Sequence, residues 1–170
     1  MEYKIVRSGR KTLSLEITKD AELLVRAPSR LPVPRIEEFI NKNEKWIEEH
    51  LARAKKRIFE HPEPNEVQRR EYINAAKEYI PNRIAYYAPL LGVMPAGITI
   101  TSAKTRFGSC SAKNRLSFSW RVMQYPAELV DYVVVHELAH IKHHDHGRDF
   151  YALIESVMPD HKERRKKLKD

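Results

Sequence analysis

The sequence predicts an α+β fold: an N-terminal antiparallel β-meander, then long helices, then a β-hairpin leading into one strongly apolar helix. Three observations carry this prediction. Apolar residues alternate with polar ones near the start and again near the middle of the chain. Helical-period stripes fill the stretches 35–59 and 66–91. An apolar run after Pro126 carries two histidines one helical turn apart.

The elements follow in order. Tyr3 and Ile5 alternate with polar residues, Ser8-Gly9-Arg10 turns, Leu13, Leu15 and Ile17 alternate, Lys19-Asp20 turns, and Leu23 and Val25 alternate again. Three such strands with one apolar face are marginal alone and must pack on something. Pro28, Pro32 and Pro34 mark a linker and a helix start. Ile36, Phe39, Ile40, Trp46, Ile47, Leu51 and Ile58 form one stripe, so a single helix is expected to about Phe59, with Trp46 in the core. His61-Pro-Glu-Pro64 breaks it. A second helical pattern runs from Glu66 to Leu91. Pro81 should kink or split it, and Gly92 ends it. Residues 97–103 alternate as a strand. Ser111-Ala-Lys-Asn114 is a turn, and Leu116, Phe118, Trp120 and Val122 give a hairpin strand with one buried face. After Gly147 a short amphipathic helix carries Phe150, Leu153, Ile154 and Val157. Pro159 closes it and a charged helix follows from His161.

Composition bounds the function. The chain has 170 residues, 42% of them hydrophobic, which suffices for a core. No run of 18 apolar residues occurs, so no membrane span is expected. The stretch Met1-Glu-Tyr-Lys-Ile-Val-Arg7 has no apolar h-region, so no signal peptide is expected. The single Cys110 excludes an internal disulfide and fits a reducing compartment, which makes the cytoplasm the default. Net charge is +8, and much of the excess lies in Lys162, Arg164, Arg165, Lys166, Lys167 and Lys169. A nucleic-acid patch is possible there. A solvated last helix is favoured, because no aromatic residues interleave with the charges.

The chemistry sits in Val133-Val-Val-His-Glu-Leu-Ala-His140. Pro126 suits a first helical turn, and Leu129, Val130, Val133, Val134, Leu138 and Ile141 recur at helical spacing. On a helix, His136 and His140 share a face, so both imidazoles reach one ion. Glu137 is rotated about 100° from His136, beside the ion and not on it, where it can accept a proton from water. This HExxH pattern is the zincin arrangement. The flanking valines make the helix buried, and two histidines and a glutamate buried together are costly without a metal to satisfy them.

A catalytic zinc site takes three protein ligands and leaves one position open. The candidates beyond His140 are His143, His144, Asp145, His146, Glu155 and His161. His146 is preferred: it lies six residues after His140, and Gly147 beside it suggests a chain reversal that swings it back. Glu155 on the next helix is the runner-up. His143, His144 and His161 read as surface histidines, and Asp145 as a cap or as an orienting partner for a ligand.

Lys104-Thr-Arg-Phe-Gly-Ser-Cys-Ser111, Leu116 to Trp120, the helix to His140, and His146-Gly-Arg-Asp-Phe150 together resemble the YgjP-like metallopeptidase family. That family carries a WGSC-type segment, an HELAH helix and a later H-x-x-x-F segment. The match is strong over 104–168 and looser before it. More distantly, the pattern is similar to SprT-like zincins. The resemblance implies a zincin-like α+β fold in a single domain over 1–170, with a meander and helix in 1–60 and the catalytic part in 61–170. It implies zinc on His136, His140 and His146, with Glu137 as general base. Phe107 stands where that family has Trp, Ser119 where Asn is common, and Asp145-His-Gly147 where Asn-His-Ser is common.

The expected function is a zinc-dependent hydrolase, foremost a metallopeptidase acting on a peptide or another small anionic substrate. Arg106, Ser109, Arg121 and Tyr151 are candidate oxyanion stabilisers. Two alternatives stand beside this. One is a phosphoanhydride hydrolase acting on nucleotides, drawing on Lys104, Arg106, Lys113, Arg115 and Arg148. The other is a nucleic-acid-associated module acting on DNA-bound proteins. Cys110 reads as a packed residue and not a nucleophile.

Overall fold

Burial decides how the first sheet is built, since its most buried strand takes the centre. The computed structural model describes residues 2–169. Strands β1 (Lys4–Ser8), β2 (Ser14–Ile17) and β3 (Leu23–Pro28) form a sheet in the order β1-β3-β2, with β3 antiparallel to β2 but parallel to β1. The expected antiparallel meander is therefore not formed. Alternation fixes which face of a strand is buried, but it does not name the partner. Leu23, Val25 and Ala27 are almost wholly buried, so β3 takes the centre. The largely exposed β1 is left to an edge.

The single helix expected from Arg35 to Phe59 is two, α1 (Val33–Lys42) and α2 (Glu44–Glu60). The break is at Asn43, whose side-chain amide donates to the Phe39 carbonyl at 2.8 Å while its own backbone leaves helical geometry. Short polar side chains compete for helical hydrogen bonds in this way. Ile36, Ile40 and Ile47 pack with Leu23, Val25 and Ala27 of β3. Trp46 does not: it is exposed and stacks on His50, with ring centroids 4.0 Å apart.

The chain folds as two units, residues 1–63 and 64–170. The second begins with α3 (Glu66–Leu91), opened by an Asn65–Gln68 capping box and closed by Gly92 in the left-handed region at φ 61°. Pro81 and Pro89 lie inside α3, and the helix runs through both without splitting. Strands β4 (Gly97–Thr101), β5 (Gly108–Cys110) and β6 (Arg115–Ser119) form a second sheet, β4-β6-β5, with β5–β6 the expected hairpin and β4 parallel to β6. A 3-10 turn (Trp120–Gln124) leads to α4 (Ala127–Ala139), then α5 (Arg148–Val157) and α6 (His161–Lys169). Helix α4 is the hub of this unit's core, with Val130, Val134, Val135 and Leu138 packed among Ile80, Ile84, Leu116, Phe118, Trp120, Phe150 and Ile154. No described helix is long and apolar enough to cross a membrane.

Candidate metal centre

Helix α4 stops at Ala139, with His140 as its C-cap, earlier than an uninterrupted run to Asp145 would allow. The chain then turns, and His146 comes back beside the helix. His136, His140 and His146 each offer one nitrogen, and these atoms all lie within 4.8 Å of one another. The Nε2 atoms of His136 and His146 are 3.2 Å apart. Two nitrogens bound at 2.0–2.1 Å to one tetrahedral zinc would stand roughly 3.3 Å apart, so the spacing fits such an ion. Phe150 props all three rings, with centroids 5.0, 4.5 and 4.9 Å from those of His136, His140 and His146.

The donor chemistry fits as well. Burial, helped by the neighbouring histidines and Arg165, pulls His136 down to about 3, so its imidazole is neutral. Burial likewise lowers His140. The Nδ1 atom of His140 lies 3.0 Å from the His143 carbonyl; as a donor to it, it leaves Nε2 with its lone pair free. The buried Nδ1 of His136 has no hydrogen-bond partner among the described residues.

Glu137 is buried on the next face of α4, and burial raises its carboxyl to about 7, against the opposing charge of Arg106. Gly108 of β5 lies flat against it: a Cβ there would stand 2.5 Å from the Glu137 Cγ. Close approach, not a special backbone angle, requires glycine at this position. A cavity of about 430 Å³ opens beside the pair, lined by Phe107, Gly108, Tyr132, Val133, His136, Glu137, His146, Tyr151, Arg165 and Leu168.

The other candidates fall elsewhere. Glu155 is exposed and pairs with Lys162 at 3.5 Å. His143 contributes its carbonyl and not its ring to the cluster, and His144 and Asp145 are exposed. His161, expected at the surface, is 2% exposed and stacks on Tyr151, with ring centroids 5.9 Å apart. Of the four oxyanion candidates only Tyr151 lines the cavity; the Arg121 guanidinium donates to the Ser102 carbonyl and lies over Trp120. Lys104, Arg106, Lys113, Arg115 and Arg148 are all exposed, and none lines the cavity. Burial and nearby Glu137 push the Cys110 thiol up, which keeps it protonated.

The sequence profile of the YgjP-like metallopeptidase domain matches residues 11–75 and 66–170, nearly the whole chain. The chain belongs to the YgjP-like metallopeptidase family. As a YgjP-like protein it is a metal-dependent hydrolase, and a divalent metal is implied for a centre of this composition. Among curated proteins, none matches the chain. The crystal structure of the metallopeptidase zymogen of Pyrococcus abyssi abylysin is similar to part of it, at 23% identity and a TM-score of 0.48, covering 52% of this chain and 90% of that one.

Sequence reasoning missed two features of this YgjP-like site. Arg165 was grouped with the solvated charges of α6, yet it is half-buried and lines the cavity. Asp131, one and a half turns before His136, is buried and held by Arg83, Tyr79 and Tyr87 of α3. A lone aspartate in an apolar helical run is the signal that would have found the second. Nothing local separates Arg165 from its basic neighbours.

Proposed function

We propose that this protein is a zinc-dependent peptidase of the zincin type, in which His136, His140 and His146 hold the zinc and Glu137 is the general base. The supporting observation is the convergence of three imidazole nitrogens beside a buried carboxyl, at the wall of a cavity large enough for a peptide segment. When bound, zinc supplies Lewis acidity to water and to the scissile carbonyl oxygen.

The chain's own residues do the rest. Neutral His136 and His140 keep their lone pairs available near neutral pH. Glu137 takes a proton from the attacking water and passes it to the leaving amine, a role suited to a carboxyl raised by burial to about 7. Gly108 holds that carboxyl in place from the β5 side. The Tyr151 phenol, on the cavity wall, donates to the developing oxyanion. Phe107, Val133 and Leu168 exclude water around the reacting bond. Strand β5 is an edge strand, and its free edge suits an extended peptide by strand addition.

The test is metal analysis of wild type beside His136→Ala and His146→Ala, followed by a panel of peptides and nucleotides. Both variants should lose bound zinc. Glu137→Gln should keep zinc and lose roughly 10²–10⁴-fold in kcat. Full activity in Glu137→Gln, or undiminished zinc in His146→Ala, would sink the assignment. Release of phosphate from nucleotides with no peptide cut would replace the substrate class.

A further inference from the structure

We infer that Arg165 is the specificity residue of this site and that it takes a carboxylate of the substrate, within about three residues of the bond that is cut. The inference deepens the peptidase reading and rests on it.

Helix α6 is tied along α4. Arg164 donates to the Glu128 carbonyl at 2.9 Å and pairs with Asp160 at 2.8 Å, while Lys167 lies 3.5 Å from Glu128 and Lys162 3.5 Å from Glu155. Leu168 packs against the core. The helix is thus strapped along α4, and its basic residues outside the cavity find acids or solvent. Arg165 differs from them. It is half-buried, it lines the cavity with His136, Glu137 and His146, and among the described residues no carboxylate pairs with it.

Its guanidinium lies over the Tyr151 ring, 5.1 Å from the centroid. That stack covers one face, and among the described residues none accepts from the in-plane N–H groups, the geometry that suits a planar, bidentate acceptor. A cation–π contact alone could explain the rotamer, and an arginine on an aromatic ring is more often structural than functional. Two observations favour the functional reading. Arg165 shares one cavity wall with His136, Glu137 and His146. It is also the only lysine or arginine among the described residues that line this cavity. A half-buried cation with no carboxylate partner among the described residues gains from an anionic substrate group.

Distance sets the register. The Tyr151 ring centroid is 6.4 Å from that of His146, so the guanidinium carbon is no farther from that ring than steps of 5.1 and 6.4 Å end to end. An extended peptide advances roughly 3.3–3.6 Å per residue. A bond cut at the histidine cluster therefore lies at most about three residues from the carboxylate that meets Arg165. That carboxylate is either the C-terminus of a short peptide or an acidic side chain just past the cut.

One experiment separates these sources and tests the idea without relying on turnover alone. A hexapeptide library is made as C-terminal acids, as C-terminal amides, and as amides with glutamate one to about three residues past each possible cut. Cut sites and kcat/KM are read by mass spectrometry. In parallel, binding of N-acetyl-leucyl-leucine and of its amide to the metal-free protein is measured by calorimetry. Wild type should prefer a carboxylate-bearing form by roughly ten- to hundred-fold in kcat/KM and in Kd, the worth of one charge-assisted pair. Acids preferred over glutamate amides identify a terminal carboxylate; the reverse identifies an acidic side chain.

Arg165→Gln should bring the ratio to about one, Arg165→Lys should keep part of it, and Lys166→Gln, on the exposed side of α6, should leave it unchanged. The inference is overturned if Arg165→Gln, folded and zinc-loaded, keeps the wild-type preference in both readouts. It is also overturned if inorganic pyrophosphate displaces the dipeptide from wild type but not from Arg165→Gln, and binds the tighter of the two. If no peptide is cut yet the dipeptide acid binds through Arg165, the peptidase reading fails and carboxylate recognition stands.

Discussion

Asp131 and His136 stand five residues apart on α4, in the same apolar core, and the fold treats them in opposite ways. Asp131 is fully answered. Arg83 donates to both its oxygens at 2.8 and 2.7 Å, and the Tyr79 and Tyr87 hydroxyls donate at 3.1 and 3.2 Å. This raises the Arg83 pKa, chiefly through the hydrogen bond to Asp131, while burial and then Asp131 raise both phenols. His136 is left unanswered: one ring nitrogen is buried without a partner, and the other faces a second imidazole. A satisfied polar group in a core holds helices together. An unsatisfied one, kept at a cost, marks a place where something else completes the contacts.

The largest expected effect breaks the satisfied half. Asp131→Ala strands the Arg83 guanidinium and should lower unfolding free energy by about 3 kcal/mol in denaturant titrations, while zinc content stays at wild-type levels. Arg83 keeps 28% of its side chain exposed, which holds the loss below that of a fully buried pair. If zinc is lost in step with stability, the two halves of α4 are not independent.

Glu137 gives the next effect, through pH. Its folded value of about 7 exceeds the ordinary 4.5, so the folded chain holds a proton that the unfolded chain has released between those values. Metal-free wild type therefore loses stability from this group as pH rises from 4.5 through 7. Metal-free Glu137→Gln should exceed wild type by on the order of 2 kcal/mol at pH 8 and approach it near pH 4.5. Equal stability at both pH values would show that burial does not govern this carboxyl.

Gly108→Ala tests the wall against Glu137. The added methyl meets the Glu137 Cγ and must move it, at about 1–3 kcal/mol, with zinc retained and kcat reduced. The smallest effect has the opposite sign. His136→Leu removes an unsatisfied buried nitrogen, so the metal-free variant should be about 1 kcal/mol more stable than metal-free wild type, although it binds no zinc. Destabilisation would mean that His136 is a packing residue like its neighbours.

These contrasts also explain what could be read from the residues alone. The shared face of His136 and His140, with Glu137 turned onto the next one, was legible because helical spacing converts directly into angle. His146 was legible because Gly147 follows it, and the structure brings its ring to the other two. The pairing of β1 was not legible, since alternation carries a face but no partner, and Ser8-Gly9 looks like a hairpin turn. The break at Asn43 was hidden because its neighbours keep the helical period on both sides. Asp131 and Arg83 are 48 residues apart, and no local pattern announces a contact at that range. The burial of His161 depends on how α6 docks, which its mostly charged sequence does not specify.

One feature of the cluster bears on how it would load and unload. Two of its rings ride on α4 and its cap, fixed by the core, whereas His146 sits on the short connection to α5 and is exposed. An ion held by all three would meet a rigid jaw and a hinged one. Chelation need only swing the hinged side outward, so extraction should be reversible without melting the hydrophobic interior, and amide exchange in the apo protein should quicken between residues 141 and 147 while α4 stays slow.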